Sequence, residues 1–247
     1  MREPTYPVEG ADVNLLMRLA AGCRILAMEG HGDLVWGHMS ARVPGTDRFW
    51  MKPAGLGLDE ITPDDLVLVD LDGNQVAGHR RRHSEWPIHA EVYRRRPDVG
   101  AVIHTHPMLS TIFGSTEHEL QPITHEGALF VPPPVPRYGE TTALIVTKEQ
   151  GAGVATALGT HRALFMRNHG VVVAAATVEE AVVTAILLEK ACRANLAALA
   201  AQPITVTSPE EALLKRRQIY HPDNVQSAWR YLCRKLERWD GVPKYID

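Results

Sequence analysis

Gly100-Ala101-Val102-Ile103-His104-Thr105-His106-Pro107 is the stretch from which the architecture of this chain can be read. A small and apolar run that ends in Pro107 predicts a buried strand over Gly100 to His106, stopped where proline cannot extend the ladder. On a strand, residues two apart point to the same face, so the His104 and His106 imidazoles can reach one ion. Downstream, a helix is expected from Met108, a proline-rich loop over Val131 to Pro136 and a helix over Lys148 to Leu158. Short strands at Ala163 to Met166 and Val171 to Ala174 then flank Arg167-Asn168-His169-Gly170. Thr177 caps a long helix to about Ala200, with Glu179 and Glu180 at its positive end. Upstream, Ser84 to Arg95 reads as a helix that tolerates Pro87 in its first turn. Phe49 to Lys52 and Leu66 to Asp70 read as strands, the second closing in the Leu71-Asp72-Gly73-Asn74 turn. Val13 to Glu29 carries helical apolar spacing, with Asp12 as N-cap and Gly30 as its stop.

Strands alternating with helices predict an α/β chain, one domain over 1–247 with a core at about 13–200. Helices at Pro209 to Ile219 and Asn224 to Trp239 form a C-terminal extension over about 203–247. The 247 residues are 45% hydrophobic and 22% charged, which suits a globular protein and excludes wholesale disorder. Twenty-six basic against 29 acidic residues leave a net charge of −3, without the basic excess of a nucleic-acid binder. No apolar run approaches the roughly 18 residues of a membrane span. Met1 to Asp12 shows no signal-peptide pattern, and Cys23, Cys192 and Cys233 have neither metal nor disulfide spacing. They read as reduced thiols of a cytoplasmic protein.

Twelve histidines are the unusual feature of the composition, and their positions matter more than their number. To His104 and His106 the sequence adds His169, followed by a glycine that allows close backbone approach. It also adds His83-Ser84-Glu85, with Glu85 expected in the first turn of a helix. Three imidazoles and a carboxylate around an open position form the pattern of a catalytic divalent-metal site, suited to zinc, manganese, iron or cobalt.

The succession Gly37-His38-Met39-Ser40-Ala41-Arg42, Lys52-Pro53-Ala54-Gly55, Ser84-Glu85, His104-Thr105-His106-Pro107 and Asn168-His169-Gly170 resembles the class II aldolase/adducin family over about residues 13 to 200. The resemblance implies a three-layer α/β/α sandwich around a mostly antiparallel sheet. It also implies a homotetramer with active sites at subunit interfaces and one divalent ion per subunit. His104, His106 and His169 match the family's metal ligands. Glu85 matches the acidic residue that ligates the resting ion or serves as general acid and base.

The chain departs from the family's sugar-phosphate aldolases. His38 stands where those carry an asparagine, Ala54 where they carry a threonine, and His83 where they carry the first of two serines. Ser40, Gly55 and Ser84 remain as candidate substrate contacts. Losing three donors to a dianion weakens the phosphate grip. His38, His83, Lys52 and Arg82 could instead place positive charge for a carboxylate. This combination resembles the branch that decarboxylates hydroxylated aromatic acids.

The expected activity is therefore a divalent-metal-dependent carbon–carbon lyase, a decarboxylase of a dihydroxyphthalate-like acid, with Glu85, His38 or His83 as proton donor. Its rivals are an aldolase of a non-phosphorylated hydroxy-keto acid, an iron oxygenase on the same fold, and a non-catalytic adducin-like scaffold. The last requires lost ligands, and all three histidines are present. His125 and Tyr138 sit where family members reach across a subunit interface toward substrate. Arg80 to Arg82 and Arg94 to Arg96 read as a solvated helix face. Trp86 is expected in the core, the C-terminal aromatics against the core or over a pocket, and His31, His79, His118 and His161 on the surface.

Overall fold

A computed structural model describes residues 12–201 and 203–241, so the expectation of no signal pattern falls on residues 1–11, outside the described residues. The strands are β1 (His38–Arg42), β2 (Arg48–Met51), β3 (Val67–Asp70), β4 (Gln75–Ala77), β5 (Ala101–Thr105), β6 (Arg137–Tyr138), β7 (Ala163–Met166) and β8 (Gly170–Ala175). The helices are α1 (Val13–Leu26), α2 (Trp86–Arg95), α3 (Met108–Gly114), α4 (His125–Phe130), α5 (Lys148–Leu158), α6 (Val178–Leu199), α7 (Pro209–Ile219) and α8 (Pro222–Asp240).

Alternation along the central strands divides the interior in two. Ala101 and Ile103 of β5, with Val171 and Val173 of β8, pack beneath α1, α6 and α8. Val102, Val172 and Ala174 face the opposite way, onto α2 and α5. The sheet runs β4-β3-β2-β1-β5-β8-β7-β6 between these layers, antiparallel at every pairing except β6 with β7. This is the three-layer α/β/α sandwich. No helix among the described residues is long and apolar enough to cross a membrane.

Several boundaries differ from expectation. β1 was not foreseen as a strand, because its face toward α2 carries His38 and Ser40, which hide the apolar alternation. α1 ends at Leu26, and a wide turn over Ala27–His31 follows, with Gly30 at φ +89°. That turn corrects the placement of His31 on the surface. The ring is 1% exposed, and its Nδ1 lies 3.0 Å from Thr105 Oγ1 at the end of β5. β5 stops at Thr105, leaving His106 just beyond it, and α2 starts at Trp86, leaving Ser84 and Glu85 before the helix. Trp86 and Trp229 are core residues, and all three cysteines are buried and free.

Candidate metal centre

The site forms where β5, the β7–β8 turn and the approach to α2 meet. His104 is fully buried at the end of β5 and donates from Nδ1 to the Val171 carbonyl at 3.0 Å. His106 donates from Nδ1 to the Asp33 carboxylate at 2.9 Å. In neutral rings this leaves Nε2 as the lone pair of each, and the two Nε2 atoms face each other at 3.1 Å. Two lone pairs at that distance repel unless a cation lies against both.

His169 completes the group from the β7–β8 turn, which bends through Asn168 at φ +54°. Both of its ring nitrogens are buried and have no hydrogen-bond partner. The ligand atoms of the three rings lie within 4.8 Å of one another. Burial first, then the neighbouring rings, pushes His104 well below the ordinary histidine range; burial, then His106, pushes His169 down to about 4. Neutral imidazoles with free lone pairs are what a divalent ion needs, so the residues present fit one.

Glu85 occupies the residue before α2 but does not cap it. Its Oε1 accepts the Ile145 amide at 2.8 Å and lies 3.6 Å from His169 Nε2. Its Oε2 lies 3.7 Å from His104 Nε2 and 3.6 Å from His38 Nε2. Burial raises the carboxyl to about 7, partly offset by the Ile145 amide. The helix-dipole role open to such a glutamate is thus not the one it plays: the carboxylate turns toward the imidazoles.

A cavity of about 700 Å³ opens beside these groups, lined by Ala54, Gly55, Arg81, His83, Ser84, Glu85, His106 and His169 together with Asp33, Val35, Trp36, Leu144 and Asn168. Gly55, His83, Ser84 and Glu85 are thus brought together on one cavity, and Ala54 supplies methyl where a hydroxyl would serve phosphate. The remaining candidates lie elsewhere. Ser40 is buried against His89 and Tyr93. Lys52 donates its ammonium to the carbonyls of Val35, Trp36 and Pro53 at 2.8, 3.3 and 3.3 Å, which holds the loop before β1. Arg82 lies over the Trp86 ring, 5.1 Å from its centroid, while Arg81 reaches the cavity. Tyr138 is buried on the α2 and α5 side, and His125 lines a separate groove with Tyr220.

Asp33 and His89 were not anticipated. His89 left one signal, its position four residues after Glu85 and so on the same side of the chain as it enters the helix. Asp33, in a loop, left none.

The model of the Class II Aldolase and Adducin N-terminal domain matches residues 17–196. The chain belongs to this family. It is a metal-dependent lyase of the aldolase and decarboxylase kind. The 3,4-dihydroxyphthalate decarboxylase of Arthrobacter keyseri is 30% identical over 236 residues, covering 90% of this chain and 94% of that protein. A 4-hydroxy-3-prenylphenylpyruvate oxygenase/4-hydroxy-3-prenylbenzoate synthase of Streptomyces roseochromogenus is 33% identical over 175 residues, covering 70% of this chain and 63% of that one. The L-fuculose 1-phosphate aldolase structure from Glaciozyma antarctica superposes with a TM-score of 0.83 at 28% identity, covering 97% of this chain and 95% of that one.

Proposed function

We propose that this protein decarboxylates a non-phosphorylated hydroxy-aromatic acid of the dihydroxyphthalate kind, using one divalent ion per subunit. The observation that carries the reading is the 3.1 Å approach of the His104 and His106 Nε2 atoms beside the unpartnered His169 ring and the Glu85 carboxyl. A dication held there would polarise the oxygens of a chelating acid and take up electron density as carbon dioxide leaves. His104, His106 and His169 would hold the ion, and the Val171 and Asp33 acceptors fix the first two rings. Glu85, raised to about 7 by burial, holds a proton and delivers it to the ring carbon that the carboxylate vacates. His83 and Ser84 line the cavity as contacts for the acid, with Gly55 admitting it closely and Arg81 rather than Arg82 supplying charge.

Trp36 and Leu144, 53% and 57% exposed, place apolar surface beside the cavity of the kind a neighbouring subunit covers, which supports a homotetramer. The buried free thiols suit a reducing cytoplasm.

The test is incubation of ion-loaded protein with hydroxy-aromatic acids, measuring carbon dioxide. Glu85→Gln should keep the ion and lose at least about 100-fold in kcat. Release of an aldehyde fragment alone would favour aldol cleavage. Oxygen uptake by iron-loaded protein would favour the oxygenase chemistry named for the Streptomyces relative. Either result overturns decarboxylation.

A further inference from the structure

Behind the imidazoles of the centre runs a buried chain of side chains that the decarboxylation step does not consume. His38 Nδ1 lies 2.6 Å from His89 Nε2, His89 Nδ1 lies 2.6 Å from Ser40 Oγ, and Ser40 Oγ lies 2.8 Å from the Tyr93 hydroxyl. All four residues are at most 1% exposed, so water does not complete their hydrogen bonding.

The direction of the chain follows from counting hydrogens. Among the described residues, Ser40 Oγ is the one acceptor within reach of the Tyr93 hydroxyl, so the phenol donates to it. The serine's own hydrogen then goes to His89 Nδ1, which must be an acceptor. Burial keeps His89 neutral, pushing it down to about 3 with His83 adding to the effect, so its single proton sits on Nε2 and is donated to His38 Nδ1. His38 accepts through Nδ1, which therefore carries no hydrogen. Its one proton is therefore on Nε2, a buried atom without a hydrogen-bond partner, 3.6 Å from Glu85 Oε2. The reverse polarity would strand the phenol hydrogen in the interior without an acceptor.

We propose that Tyr93, Ser40 and His89 are positioning residues that lock His38 as its Nε2–H tautomer, so that His38 faces Glu85 Oε2 as a fixed hydrogen-bond donor once that carboxyl has given up its proton. The same assignment denies His38 a lone pair for a cation, although its ligand atom lies within 4.8 Å of those of His83 and Glu85. The chain orients and does not resupply protons. It ends at Tyr93, whose phenol burial holds well above its ordinary value. Ser40 thus acts through His38 rather than on the substrate. The part Glu85 plays rests on the proposed reaction above, whereas the tautomer does not.

Neutron diffraction from deuterated, ion-loaded crystals tests the tautomer directly. Deuterium is expected on Nε2 of both His38 and His89, with both Nδ1 atoms bare; deuterium on His38 Nδ1 overturns the proposal whatever reaction the protein catalyses. The donor role is tested by steady-state kinetics on the hydroxy-aromatic acids, with the ion content of each variant measured alongside. Tyr93→Phe and Ser40→Ala should lower kcat about 10-fold at unchanged KM while retaining one ion per chain, and Ser40→Thr should restore it. A wild-type kcat in either of the first two variants overturns the donor role, and a wild-type protein that shows the expected deuterium pattern yet releases no carbon dioxide from any of these acids sinks only the decarboxylase reading.

Discussion

Asp33 touches no ligand position of its own, yet it decides which nitrogen of His106 is free. Its carboxylate takes the Nδ1 hydrogen at 2.9 Å and so leaves Nε2 for the ion, as Val171 does for His104. Partners of this kind fix ring orientation and raise ligand basicity. Asp33→Asn keeps the shape but loses the charge, and it should weaken ion affinity about 10-fold, read by competition with a chromophoric chelator. Affinity equal to wild type would make the contact incidental. At this scale the imidazoles were legible, since His104-Thr105-His106 and Asn168-His169-Gly170 announce themselves by spacing. Asp33 and His89 were not, because a loop aspartate and a helical histidine look alike whether or not they touch a metal centre. Lys52 misled for a related reason. A lysine beside a proposed anion site reads as its counter-charge, and here three carbonyls claim it.

At the scale of elements, the pairing of β1 with β5 sets His38 directly opposite His104 in register. The turn between β7 and β8 then brings His169 up against them. Gly170 makes that turn possible, since a Cβ there would stand 2.6 Å from both the Thr105 carbonyl oxygen and His106 Cδ2. Gly170→Ala must therefore push β8 from the end of β5 or displace the His106 ring. A cost of about 1–3 kcal/mol is expected from such overpacking, along with a loss of ion affinity. Thermal unfolding with and without the ion separates the two: the shift caused by the ion should shrink in the variant, and an undiminished shift would show that His106 had not moved. Most elements were legible from apolar periodicity; α5, β7 and α7 fall where the pattern puts them. β1 was not, because the functional side chains on its inner face break the very alternation by which a strand is recognised.

The whole molecule carries a cost for burying so many imidazoles. His31 and His83 are pushed down to about 4 and His89 to about 3, all chiefly by burial. Each is neutral when folded and charged when unfolded below its ordinary 6.5. Between roughly 4 and 6.5 the unfolded chain binds more protons, so stability rises with pH and is lost on acidification. At pH 5 each such histidine should cost about 2 kcal/mol relative to neutrality. Glu85 opposes this: raised from 4.5 to about 7, it makes stability fall as pH rises through that range. Three histidines outweigh one carboxylate, so the urea midpoint of ion-free protein should be lower at pH 5 than at pH 7.5. An equal or higher midpoint at pH 5 would mean that these rings are solvated in solution.

The sequence by itself determined the layered α/β class and the imidazole set, because hydrophobic periodicity and short ligand spacings are local properties of the chain. Only the tertiary structure decided which groups face the ion and which stand behind it. Hydrogen-bond partners such as Asp33 with His106, or Tyr93 through Ser40 and His89 with His38, join residues far apart in the chain or on different elements. They meet only when strand register and helix packing have fixed the distances, and nitrogen tautomers are set by those meetings rather than by residue type.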